Sequence, residues 1–174
     1  IRLDNPEESS RWYPGAGLYR SVWLTKTESV RVAHWGTFVK TPRVAKDRAT
    51  VELAVTIDNA TDAPRRVEAT TEIYTLDADG RRGARAVAMM GKAAAHVAAK
   101  NSGTVVASAE IRNPRLWGPL PRQQPHRYVA VTTVSGEGKV TDRYETPFGI
   151  RSLRFDPASG VHINGERIAL KGVN

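Results

Sequence analysis

The chain contains no cysteine, which excludes disulfides, thiolate nucleophiles and zinc–thiolate sites. Its four histidines, His34, His96, His126 and His162, lie far apart. They offer no His-Glu-x-x-His spacing to set two imidazoles on one helical face, and no Gly-x-Ser-x-Gly turn is present to expose a nucleophilic serine. No apolar run approaches the roughly 20 residues that cross a bilayer, so a membrane partner is not expected. The first residues, Ile1-Arg2-Leu3, carry neither a basic nor an apolar leader pattern and assign no compartment. Gly15-Ala16-Gly17 lacks the third glycine and the preceding strand of a dinucleotide fingerprint. In Gly136-Glu137-Gly138-Lys139, valine follows the lysine where a phosphate loop needs Ser or Thr for magnesium. No cofactor and no metal site is therefore expected.

What is present is charge, much of it positive. The net charge of +8 invites a nucleic-acid reading, because clustered Lys and Arg displace counterions from phosphate. Here the basic residues are single or paired, as at Arg65-Arg66 and Arg81-Arg82. None forms a run interleaved with aromatics, so they read as a solvated arginine-rich surface and nucleic acid is not an expected partner. The acidic residues fall mostly in turns or at outward alternating positions. No pair of carboxylates stands out as a general acid and base.

Length and pattern bound the architecture. With 174 residues, the chain holds one ordinary domain and pieces of neighbours. From Glu28 onward, period-two alternation recurs: Val30 and Val32; Val51, Leu53, Val55 and Ile57; Val67, Ala69, Thr71 and Ile73; Val105, Ala107, Ala109 and Ile111. A four-residue loop, Ser135 to Gly138, is expected to join a hairpin of Tyr128–Val134 and Val140–Thr146. Asp58 to Asp62, Asp77 to Gly80 and Asn113-Pro114 punctuate the strands. The pattern predicts an all-β fold, an immunoglobulin-like antiparallel β-sandwich of about seven strands.

Three segments ask for separate treatment. Ala84 to Lys100 holds eight alanines, a helical composition. Gly91 interrupts it and Ala86, Ala88 and Met90 alternate, so an edge strand followed by a loop is expected. Asn59-Ala60-Thr61 is a formal N-glycosylation acceptor that reads better as a turn at a strand end. At the end of the chain, two apolar runs, Ile150–Phe155 and Ile168–Val173, flank a loop rich in Asp, Pro, Gly and Asn. The chain then stops on an apolar strand, which suggests a boundary inside a longer protein.

The two ends and one internal segment resemble a known family. Ser10-Arg11-Trp12-Tyr13-Pro14-Gly15-Ala16-Gly17-Leu18-Tyr19-Arg20, followed by Val22-Trp23-Leu24, resembles the close of the sugar-binding jelly-roll domain of family 2 glycoside hydrolases, especially the β-galactosidase-like members. Asn113-Pro114-Arg115-Leu116-Trp117-Gly118-Pro119, with Tyr128 downstream, is similar to a segment late in that family's immunoglobulin-like second domain. Phe148-Gly149-Ile150-Arg151 and Ile163 through Asn174 resemble its entry into a (β/α)8 barrel.

The resemblance implies a map: residues 1–24 close the jelly-roll, 25–147 form the sandwich and 148–174 open the barrel. It implies that the two catalytic Glu residues of a retaining hydrolase, which must stand about 5 Å apart around one sugar, lie beyond Asn174. The fragment is then a non-catalytic scaffold of a β-galactosidase-like enzyme, its partners the jelly-roll and barrel and, through the whole enzyme, a β-galactoside. A β-glucuronidase or β-mannosidase parent is the alternative specificity. An autonomous carbohydrate-binding module and an adhesion or protein-interaction sandwich are the alternative classes. Arg11 and Trp12, which can reach the barrel mouth, and Asn174, at the C-terminal end of the implied first barrel strand, are the substrate-binding candidates. For Trp12, packing between domains is the competing reading. Trp117 is expected to be a structural anchor between the two sheets. An excised piece would expose apolar patches that favour dimerisation.

Overall fold

Strand β2, Arg48–Asn59, shows how the alternating pattern becomes a core. Ala49, Val51, Leu53, Val55 and Ile57 are each no more than 2% exposed, while the residues between them are half-buried. Apolar burial on one face is the stabilising term, about 1.5–3 kcal/mol for each large side chain. The computed structural model describes residue 2 and residues 17–172, and among them there is no helix.

Six more strands complete the sandwich: β1 (Val30–Val44), β3 (Arg65–Leu76), β4 (Ala88–Val97), β5 (Asn101–Arg112), β6 (Arg127–Gly136) and β7 (Lys139–Phe148). One sheet has the order β1-β2-β5 and the other β4-β3-β6-β7, all pairs antiparallel. This is an immunoglobulin-like β-sandwich in which the fourth strand joins the sheet of the third rather than completing the first sheet. The inner faces meet in a core that includes Leu53, Ile57, Val67, Ile73, Met90 and Val134. Thr71 and Thr132 are buried within it and pair hydroxyl to hydroxyl at 2.9 Å, which keeps both polar groups satisfied.

Several local readings are refined. The alanine-rich segment is a strand at a sheet edge, but its loop precedes it. Only Ala98-Ala99-Lys100, with Lys100 at φ 52, turns the chain into β5. A register shift between Ala69 and Thr71 absorbs the irregularity and leaves Met90 in the core and Met89 outside. The β6–β7 hairpin closes with two residues rather than four, because Glu137 (φ 52) and Gly138 (φ 78) both take the left-handed conformation of a tight primed turn. Asn59, 1% exposed, spends its side-chain amide hydrogens on the carbonyls of Ala63, Val97 and Ala98 and accepts from Thr61. It is a buried turn residue, as the sequence suggested.

The two outer faces differ. On β6, Val129 and Val131 point outward yet are at most 2% exposed. Long polar side chains roof them: the Arg82 guanidinium lies 4.7 Å from the Tyr74 ring and 3.5 Å from Glu145, and the Tyr74 hydroxyl donates to Glu72. On the outer face of β1-β2-β5 the cover is thinner: Lys40 reaches over the Phe38 ring at 5.5 Å and pairs with Glu52 at 3.5 Å, yet Phe38 and Val106 stay more than half exposed.

After the sandwich come β8 (Leu153–Asp156), β9 (Gly160–Ile163) and β10 (Glu166–Ile168), a small meander in the order β10-β9-β8. The expected loop between two apolar runs thus contains a strand of its own. The four residues of β9, Gly160–Ile163, are too few to show a period in sequence. The chain enters the sandwich where Ala60 N donates to Ser29 O. It leaves where Thr41 donates to Arg151 O, beside rows eight residues along β2 from Asn59. At about 3.3 Å per residue, entry and exit are about 25 Å apart.

Candidate functional site

The β9–β10 turn begins the site. Asn164 (φ 54) and Gly165 (φ 82) supply the left-handed pair that a two-residue hairpin needs, which Asn-Gly does with little strain. The side chain of Asn164 is thereby pointed back at the sandwich. Its Oδ1 accepts from Ser152 N at 3.0 Å. Its Nδ2 donates to Trp117 O at 2.9 Å and to Gln123 Oε1 at 2.8 Å.

Gln123 extends the network. Its Nε2 donates to Ile163 O and to Glu166 Oε2, both at 3.0 Å, and Arg122 donates to Glu166 Oε1 at 3.2 Å. A second contact runs through the main chain, where Trp117 N donates to Ile150 O at 2.8 Å. Residues 117–123, which follow β5, are thus tied to both the linker and the hairpin.

Two glycines allow this approach. A Cβ on Gly149 would lie 2.6 Å from Trp117 Cβ, and one on Gly118 would fall 1.9 Å from Gln123 Oε1. Neither position tolerates a side chain without displacement.

Trp117 is therefore not the expected inter-sheet anchor. It is half-buried at the base of the sandwich, under the Arg151 guanidinium 5.0 Å away, while its neighbour Leu116 packs against the core. Its place in the core is taken by Tyr128, stacked on Phe148 at 5.7 Å, and by fully buried Ile150. The Tyr128 hydroxyl accepts from Arg115 N at 2.8 Å. Burial raises its pKa, against a smaller lowering by that hydrogen bond and the Arg115 charge.

The hairpin unit carries one further polar cluster. Asp156 Oδ1 accepts from Ala158 N and Ser159 N, and Arg154 donates to its other oxygen. The bonds from Ser159 first, then Arg154 and Ala158, hold the carboxyl well below the ordinary range. Ser159 Oγ lies 2.8 Å from His162 Nε2. The pair is not a hydrolase triad, because the carboxylate sits on the serine and, among the described residues, no partner reaches the buried His162 Nδ1. Among the described residues, no group of three or more His, Asp or Glu side chains converges to hold a metal.

The arrangement does mechanical work: it fixes the direction in which the chain leaves the sandwich. Leu153 and Phe155, on one face of the meander, are 51% and 72% exposed. A cleft of about 770 Å³ lined by Val39, Pro42, Phe148 and Leu153 opens on one side. Another, of about 660 Å³, is lined by Leu120, Pro121, Arg167 and Ile168. The substrate-binding candidates Arg11, Trp12 and Asn174 lie outside the described residues. The sequence motifs around Trp117 and Asn164 are brought together, and Gln123, Glu166, Gly118 and Gly149, none of them distinctive by itself in sequence, complete the contact. The one sequence signal for the joint was the Asn164-Gly165 dipeptide.

Residues 30–151 match the family model described as glycosyl hydrolases family 2. A β-galactosidase of Bacteroides ovatus, BoGH2A, is 34% identical over 99% of this chain. A putative β-glucuronidase of Formosa agariphila is 29% identical, again over 99% of the chain. Among solved structures, a glycosyl hydrolase family 2 member from Bacteroides cellulosilyticus is 29% identical over 92% of the chain, with a TM-score of 0.77. The chain spans 19% and 15% of the two relatives' lengths and 20% of that structure.

Proposed function

The chain belongs to the glycosyl hydrolases family 2, and from that premise we propose that it is a non-catalytic scaffold within a longer hydrolase. In this reading residues 1–24 close a jelly-roll domain, 25–147 are the sandwich and 148–174 open the catalytic barrel. The observation that carries the reading is the joint. A sandwich whose exit is fixed by Asn164, Gln123 and Glu166 sets the orientation of whatever follows β10. The exposed Leu153 and Phe155 are then the face on which the barrel rests.

The whole protein is read as a retaining hydrolase of terminal β-galactosides, supported by the similarity to the B. ovatus β-galactosidase. A β-glucuronide substrate is the second reading, supported by the F. agariphila relative. The experiment compares aryl β-galactoside and aryl β-glucuronide turnover by the full-length protein and by this chain. Turnover of the galactoside by the full-length protein alone is expected. Preference for the glucuronide would transfer the assignment to the second substrate, and turnover by this chain would overturn the scaffold reading.

A further inference from the structure

Strand β1 is interrupted between Val32, paired with Ile57, and Thr37, paired with Val55. Four residues, Ala33-His34-Trp35-Gly36, stand opposite the single residue Thr56. At the turn of this bulge Trp35 takes φ 53, a left-handed conformation that a bulky residue adopts only under strain. Gly36 follows because a Cβ there would sit 2.8 Å from the carbonyl oxygens of Ala33 and Thr56. The bulge presents the Trp35 indole to solvent, 83% exposed, braced on one side by the His34 ring at 4.6 Å.

Glycine at position 35 would be unstrained, so the local chain keeps an exposed indole against its own backbone preference. The same sheet carries Phe38 and Val106, joined through Ala54 across the three strands and still more than half exposed with Lys40 over the Phe38 ring, where the opposite sheet roofs its own valines.

We infer that the Trp35 bulge and the Phe38–Val106 patch form the seat of the unit that precedes Gly17 in the longer chain, an apolar surface of the same polypeptide. The inference rests on the scaffold reading. The tether selects this occupant. Leu18, Tyr19, Val22, Trp23 and Leu24 are all exposed among the described residues. The five residues between Leu24 and Val30 span at most about 20 Å. The Val32–Ile57 row, where the bulge leaves the ladder, lies only two residues into β1.

The test places p-benzoylphenylalanine at position 35 of the full-length protein and maps photo-cross-links by mass spectrometry, with a second probe at position 155. Cross-links from position 35 to residues before Gly17 are expected, together with loss of hydroxyl-radical labelling of native Trp35 relative to this chain alone. Cross-links to residues after Asn174 or to a second copy, or undiminished labelling of Trp35, would overturn the inference. The probe at position 155 separates the two levels. If it links to residues after Asn174 while position 35 does not reach the preceding unit, the scaffold stands and the seat falls. If position 155 also stays unlinked, the scaffold reading fails with it.

Discussion

The side-chain amide of Asn164 donates to the main-chain carbonyl of Trp117 at 2.9 Å, 47 residues earlier in the chain. That bond joins a turn of the C-terminal meander to the segment leaving β5. Because Asn164 also donates to Gln123 and accepts from Ser152, one residue ties three separate segments. Its conformation and its hydrogen bonds can be separated by substitution.

Asn164→Ala removes the three side-chain hydrogen bonds and puts a Cβ-bearing residue without local polar support at φ 54. The expected cost is about 2–3 kcal/mol. Asn164→Gly keeps the turn and loses only the bonds, so it should be the milder change. Hydrogen exchange of the β8–β10 amides checks both: exchange should rise in each variant, more in the alanine.

Gly149→Ala forces a methyl group against Trp117 and should destabilise the protein by about 1–3 kcal/mol. Gly91→Ala is the control, since nothing lies within 4 Å of its Cβ position. It should stabilise by about 0.5–1 kcal/mol through the unfolded state. Urea denaturation of the two variants should move in opposite directions.

Tyr128→Phe leaves the Arg115 N–H without its acceptor and should cost about 1–2 kcal/mol. The wild-type phenol adds a pH dependence. Because its pKa is raised in the folded state, mainly by burial, its contribution is complete below the ordinary value near 10. It is lost as pH rises through the folded value. Ultraviolet titration should show both Tyr128 and Tyr74, the latter raised by its hydrogen bond to Glu72, ionising late, and the Tyr128 share of that step should vanish in the phenylalanine variant.

Asp156 has the opposite sign. Its pKa is lowered by the Ser159, Arg154 and Ala158 bonds, so the β8–β9 turn should hold throughout the neutral range. Its contribution should diminish as pH falls below the ordinary carboxylate value, about 3.9, towards the folded one. Protection of the Ala158 and Ser159 amides, relative to their intrinsic exchange rates at each pH, should fall over that acid window, and Asp156→Asn should abolish this change in protection.

Much of the sandwich is legible in the sequence because one face of β2 is apolar and the other polar. In β6 the alternation fails, since Val129 and Val131 are buried under Tyr74 of β3, Glu145 of β7 and Arg82 of the β3–β4 connection. Alternation with Ala86 and Ala88 separates Met90 from Met89, but which of the two faces inward depends on the register shift opposite Thr71. The motif around Trp117 was visible, but its meaning depends on Gln123 and Asn164, 41 residues apart. No local pattern encodes that meeting. Gly149 makes room for Trp117, 32 residues earlier, and Gly118 for a Gln123 side chain turned back by the loop between them, so neither requirement shows in the residues alongside.

The hydrogen bonds of Asn164 and Gln123 are expected to hold sandwich and meander as one rigid body. Residual dipolar couplings measured on this chain decide it. Backbone couplings from β1–β7 and from β8–β10 should fit one alignment tensor of one magnitude and orientation. Two distinct tensors, or couplings in the meander averaged well below those of the sandwich, would contradict it.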